Sequence, residues 1–187
     1  MERLGIFIDG SFIYSASRRM GWNVDHRKTL EHFREGYALY NAFYYAPVTD
    51  ITDERQRKFI NALVFMGYTV RWREIHAEPR FDAIIATDLI LTAPRWDIAL
   101  LAAGVAGLSA PVEAVRSMGK EVWVLGLEES VDLELRSAAD RFLDLRDFRE
   151  ALEREGGGKR VYPAPSEEEL EEETGAEEEA PEVEGEF

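Results

Sequence analysis

Apolar positions along the chain come in short buried runs separated by stretches of helical spacing. Strand-like runs fall at 4–8, 38–46, 68–74, 97–103, 120–126 and a short 141–144. Between them, apolar residues recur every three or four positions near 11–20, 26–35, 52–66, 82–93, 109–118, 130–138 and 146–155, the mark of amphipathic helices. Strands alternating with helices predict a parallel α/β sheet with helices packed on its faces. Boundary residues agree: Asp25 is placed to cap the second helix, and Gly67 and Gly119 each close a helix just before a strand. The aromatic residues of the second strand, Phe43, Tyr44 and Tyr45 among them, read as sheet packing before base-stacking.

The pattern stops near residue 155. Gly156-Gly157-Gly158 opens a linker, and from Pro163 onward the chain has twelve Glu and no Lys or Arg. Such a segment has too little to bury to offset its chain entropy, so the expected organisation is a folded domain over 1–155 and a disordered acidic tail over 156–187. Without those glutamates the formal charge of −15 would be −3. A near-neutral domain argues against a strongly basic nucleic-acid clamp but leaves room for a local basic patch. The tail reads as a solubilising appendage, with docking of a protein partner as the other use. Absence of cysteine excludes disulfide and thiolate chemistry, and no apolar run reaches the roughly 18 residues of a membrane helix, so a cytoplasmic protein is expected.

In a parallel sheet, ligands bind at the carboxyl ends of the strands. There the sequence places Asp9, followed by Gly10 and Ser11, at the end of a buried strand. A carboxylate in that position suits a divalent cation, and equally well the N-cap of the next helix. Asp82 opens a later helix, with Asp88 six residues on. Six residues rotate the helix by 600°, leaving the two side chains about 120° apart, so only Asp82 is expected to look into the crevice. Asp88 is expected to orient something from the flank or to make a structural hydrogen bond. A nucleophilic Asp of the haloacid phosphatase type is excluded, because Phe7 stands where that chemistry needs an acid. The Gly104-Val105-Ala106-Gly107 turn could cradle a phosphate through backbone N–H groups, although glycine-rich turns are common for steric reasons alone. Arg18, Arg19, Arg71, Arg73 and Arg80, with Trp72 as a stacking partner, are candidates for a basic rim, against the alternative of surface ion pairs.

Taken in order, Ile8-Asp9-Gly10-Ser11, Phe81-Asp82-x5-Asp88, Gly104 after a buried strand, Pro111 to Lys120 and Ala138 to Leu145 resemble an NYN domain of the LabA/DUF88 group, in the PIN-like nuclease superfamily. The resemblance covers roughly residues 3–148. It implies a three-layer α/β/α, Rossmann-like fold and a ribonuclease site in which acids gather Mg²⁺ or Mn²⁺ at the strand ends. By motif, Asp9 and Asp82 would be the metal-binding and catalytic acids and Asp88 a supporting one. Ser11, Arg80 and Gly104 would contact RNA, the implied partner; a homodimer is also possible within this reading.

The chain departs from the family pattern at three places. Phe12 stands at the usual Asn, and in the Ser-Gly-Asp-x-Asp-Phe segment Val105 and Gly107 replace the two acids. Losing one good stabiliser of transition-state charge typically costs on the order of 10²–10³ in rate. Cleavage is therefore expected to be lost or much reduced, leaving an RNA-binding or regulatory role. The alternatives are an active Mg²⁺/Mn²⁺ ribonuclease using a substitute acid, with Asp50, Asp53 and Glu113 as candidates, and a protein-interaction module.

Overall fold

The first strand, β1 (Arg3–Asp9), is buried from Leu4 onward and forms the centre of the sheet. In this computed structural model, residues 1–74 and 81–155 are described. With β2 (Ala38–Val48), β3 (Thr69–Glu74), β4 (Ile98–Ala102), β5 (Glu121–Gly126) and β6 (Arg141–Asp144), the six strands lie in the order β3-β2-β1-β4-β5-β6 and all pair in parallel. From β1 the chain passes through α1 (Gly10–Met20) and α2 (His26–Arg34) to β2 (Ala38–Val48), then through α3 (Glu54–Met66) to β3 (Thr69–Glu74). It then crosses back through α4 (Asp82–Thr92) to β4 (Ile98–Ala102), on the other side of β1. From there α5 (Ser109–Ser117), β5 (Glu121–Gly126), α6 (Leu133–Ala138) and β6 (Arg141–Asp144) complete the sheet, and the short α7 (Arg149–Leu152) ends the described domain. The strand order therefore reverses between β1 and β4, the place at whose carboxyl ends α/β sheets form their ligand crevice.

Side chains alternate across the sheet as the pleat demands. Leu4, Ile6 and Ile8 join Leu100 and Ala102 in the layer under α1, α2 and α3. Phe7 turns the other way, to join Ala99 and Leu101 under α4, α5 and α6. Both faces of the central strands are thus covered, which explains their unbroken apolar runs. The aromatic residues of β2 follow the same rule and pack as core: Tyr44 faces the first layer, while Phe43 and Tyr45 face the second.

Most expected boundaries shift by a residue, and three expected helices change more. The third helix starts at Glu54, because Asp53 accepts from the Arg55 N–H at 2.8 Å and so caps it. The helix expected over 130–138 begins at Leu133, and 127–132 is a loop over the end of β5. The last expected helix splits into a 3₁₀ turn at Leu145–Phe148 and the four-residue α7. Gly67 ends α3 in the left-handed region (φ 106°), which frees the chain to turn directly into β3. Arg80 and the linker and tail over 156–187 lie outside the described residues.

Candidate active site

Asp9 stands at the point where β1 becomes α1. Its Oδ1 accepts from the N–H groups of Ser11 (3.0 Å) and Phe12 (3.3 Å), so the carboxylate caps the helix. The side chain is nearly inaccessible to solvent. Burial pushes its pKa up from 3.8 to about 6; the two N–H bonds pull against that shift, and the Asp82 carboxylate adds to it. Gly10 is required beside it. A Cβ there would lie 2.7 Å from the Tyr45 carbonyl and from the Tyr44 ring, so only glycine lets α1 begin this close to β2.

Asp82 is the first residue of α4, and its field reaches Asp9. Across the crevice from it lies Gly107, where a Cβ would stand 3.6 Å from Asp82 Oδ2. That is ordinary van der Waals contact. A side chain at 107 would project directly beside the Asp82 carboxylate, and this chain has none.

The opposite wall is built by Phe12. A Cβ on Gly104 would fall 2.6 Å from its ring and one on Gly126 2.8 Å, so the ring is wedged over the ends of β4 and β5. The two glycines are what make room for it. Val105 is 43% exposed at the lip. The Gly104–Ala106 turn is held by a reciprocal pair of bonds: Asp132 Oδ2 accepts from the Ala106 N–H (2.7 Å), and the Asp132 N–H donates to the Gly104 carbonyl (2.8 Å). A phosphate cradled there would have to take the Ala106 N–H from a carboxylate. The hydroxyls of Ser11 and Ser130 are buried without a hydrogen-bond partner.

Asp88 sits on the flank of α4. Its Oδ2 accepts from the Tyr45 hydroxyl (3.0 Å) and from Arg71 Nε (3.2 Å), and its Oδ1 from Arg71 Nη2 (3.2 Å). The carboxylate therefore ties α4 to β2 and β3 at once. Burial, with the Asp88 charge beside it, pushes the Tyr45 phenol far above its ordinary range, so it stays a donor. Two of the three candidate substitute acids are engaged elsewhere: Asp50 accepts from the N–H and hydroxyl of Thr52, and Asp53 caps α3, while Glu113 is exposed on α5.

The crevice thus brings Asp9, Asp82, Gly104 and Ser11 to one end of the sheet and leaves Asp88 to one side. Asp132 is an acid that the sequence reading passed over. β5 also ends on this crevice, but by periodicity Ser130 to Asp132 reads as the start of a helix. Among the described residues no group of three or more His, Cys, Asp or Glu side chains is placed to hold a metal ion. Mg²⁺ and Mn²⁺ prefer a shell of oxygens, and two carboxylates, one of them buried and capping a helix, do not fit a resident two-metal centre.

A parallel sheet reversing at β1/β4, with acids from β1 and α4 at the reversal, defines an α/β domain whose candidate site lies at its topological switch point. The sequence matches the NYN domain family model over residues 3–152, and the chain belongs to that family. It is 34% identical over 167 residues to the Low amplitude and bright protein LabA of Synechococcus elongatus, an alignment covering 82% of this chain and 89% of LabA. Among solved structures it resembles VPA0982, a protein of unknown function from Vibrio parahaemolyticus. That match has a TM-score of 0.71 at 24% identity and covers 81% of this chain and 96% of the other, a likeness of fold.

Proposed function

We propose that this NYN domain binds RNA at the carboxyl end of its sheet and that metal-dependent cleavage there is lost or strongly reduced. The observation that carries the reading is the pair Phe12 and Gly107: an aromatic wedge fills one side of the crevice, and the other lacks the side chain that would stand beside Asp82. Family membership supplies the RNA connection. The remaining acids, Asp9 and Asp82, are too few to neutralise and align a phosphate with two metals, so the crevice is better suited to holding a strand than to hydrolysing it. Among the described residues no helix is long and apolar enough to cross a membrane.

Fluorescence anisotropy with labelled single-stranded RNA across a salt series tests this. Binding through phosphates weakens linearly in log–log form as salt rises. The expected result is salt-sensitive binding that weakens when Val105→Glu places a negative charge at the lip. Absence of RNA binding at low salt would overturn the reading in favour of a protein-interaction module.

A second reading, an active Mg²⁺/Mn²⁺ ribonuclease with a substitute acid, draws on one observation. Asp132 is exposed and bonded to the β4–α5 turn, so an acid does reach the wall from which two are missing. In that case Asp132→Asn would abolish cleavage.

A further inference from the structure

A cavity of about 260 Å³ lies between α1, α2 and α3, on the face of the sheet opposite α4. Ile13 and Tyr14 of α1, Tyr44 of β2, and Phe59 and Met66 of α3 give it apolar, largely aromatic walls. Sites for small-molecule ligands run to roughly 300–1,000 Å³, so this one has the size for a single aromatic side chain. It also presents one orphaned polar atom. His26 lines the cavity, and its Nδ1 is buried without a hydrogen-bond partner. Burial lowers the His26 pKa to about 4, so at neutral pH the imidazole is uncharged, with one donor and one acceptor nitrogen. Nε2 lies 3.3 Å from the Tyr44 hydroxyl, and whichever role it takes there, Nδ1 keeps the other. A hydroxyl can answer either role.

The described chain leaves the domain at the rim of this cavity. Glu153 bridges antiparallel to Val24, the Arg154 N–H donates to the Asn23 carbonyl (2.9 Å), and Lys28 Nζ donates to the Glu155 carboxylate (2.8 Å). Arg154 is itself part of the lining. We propose that Val161-Tyr162-Pro163 of the same chain docks here, with the Tyr162 ring in the cavity and its hydroxyl on His26 Nδ1. Tyr162 follows Glu155 by seven residues, three of them glycine, and seven residues reach about 23 Å when extended. A flexible tether that short holds its end at about millimolar effective concentration, so weak intrinsic affinity suffices. Beyond Glu155 the aromatic residues are Tyr162 and Phe187, and Phe187 lies past the glutamates and carries no hydroxyl. Charges match as well. Asp25, Arg27 and Arg154 stand at the cavity, against Lys159 and Arg160 before the ring and glutamates from Glu167 onward after it. Because the Tyr44 ring lies against Gly10, the docked segment would start the acidic tail on the face behind the Asp9 turn.

The chain has no cysteine, so a nitroxide attached through Ala164→Cys reports on this segment alone in the full chain, and one through Ala180→Cys gives a reference farther out. The expected electron paramagnetic resonance spectrum has a broad, immobilised component at 164 and a narrow line at 180. Tyr162→Ala, which lies outside the domain, should remove the broad component. Ala62→Trp, which fills the cavity from α3, should remove it too, with circular dichroism and melting establishing that the domain is folded. A narrow line at 164 in the otherwise unaltered chain overturns the proposal, as does a broad one that survives Tyr162→Ala or a folded Ala62→Trp. A broad component that vanishes on dilution would give the cavity to the tail of a second copy and overturn it equally. So would a narrow line at 164 together with a rise in Tm on adding phenol, which would make the cavity a small-ligand site.

Discussion

Replacing Asp9 with Asn should stabilise the protein at neutral pH, by an amount that depends on pH in a defined direction. The folded-state pKa of Asp9 is raised from 3.8 to about 6, so between those values the folded state holds a proton that the unfolded chain has released. Stability attributable to this group therefore falls as pH rises from about 4 to about 6, and stays low above that. At about 1.4 kcal/mol per pKa unit, the ionised carboxylate costs about 3 kcal/mol at pH 7. Asparagine keeps the cap, because its side-chain oxygen can accept from the Ser11 and Phe12 N–H groups, and it carries no charge to desolvate. Amide burial takes back part of the gain, leaving about 1–3 kcal/mol at pH 7 to 8. For a domain of this size that is a rise in Tm of roughly 2–10 °C. Thermal melts of wild type and Asp9→Asn at pH 4 and pH 8 would measure it, with the difference largest at pH 8 and shrinking at pH 4. An equal or lower Tm for Asp9→Asn at pH 8 would refute the argument from burial. The same melts with added Mg²⁺ report on metal: a cation held by Asp9 would selectively raise the wild-type Tm above pH 6.

Three other outcomes follow from the same geometry. Asp88→Ala leaves the buried Tyr45 hydroxyl without its acceptor and should cost about 1–3 kcal/mol in urea denaturation, with RNA binding at the crevice unchanged. Gly104→Ala drives a Cβ to within 2.5 Å of the Ser130 carbonyl and should cost about 1–3 kcal/mol, and Phe12→Ala should not rescue it because the closest clash is with backbone. Gly107→Asp combined with Val105→Asp should fold, since the space beside Asp82 is open, and should increase Mn²⁺ affinity measured by electron paramagnetic resonance; an unchanged affinity would show that the missing acids are not what limits the site.

Much of this molecule was legible from its sequence because the fold is written in periodicities. Runs such as Leu4–Ile8 and Ile98–Ala102 are apolar without interruption because both faces of the sheet are covered, and no other reading suits them. The 120° rotation between Asp82 and Asp88 is enough to separate an acid facing Asp9 from one on the flank. What periodicity does not carry is tertiary proximity. The partners of Asp88, Tyr45 and Arg71, lie 43 and 17 residues away on other strands. The Phe12 wedge needs Gly104 and Gly126 together, and neither glycine announces an aromatic neighbour. Asp132 is not legible from sequence because a polar stretch after β5 looks alike as a loop or a first helical turn, and only its bond to Ala106 distinguishes them.

The most direct measurement of the central claim is incubation of a panel of end-labelled RNAs with the wild-type chain and with Asp9→Asn, each with Mg²⁺ and with Mn²⁺. A family member that keeps all its acids serves as the positive control. The control should cut, while wild type and Asp9→Asn should both bind RNA and leave it intact or nearly so. Rapid metal-dependent cleavage by the wild type that disappears in Asp9→Asn would contradict it.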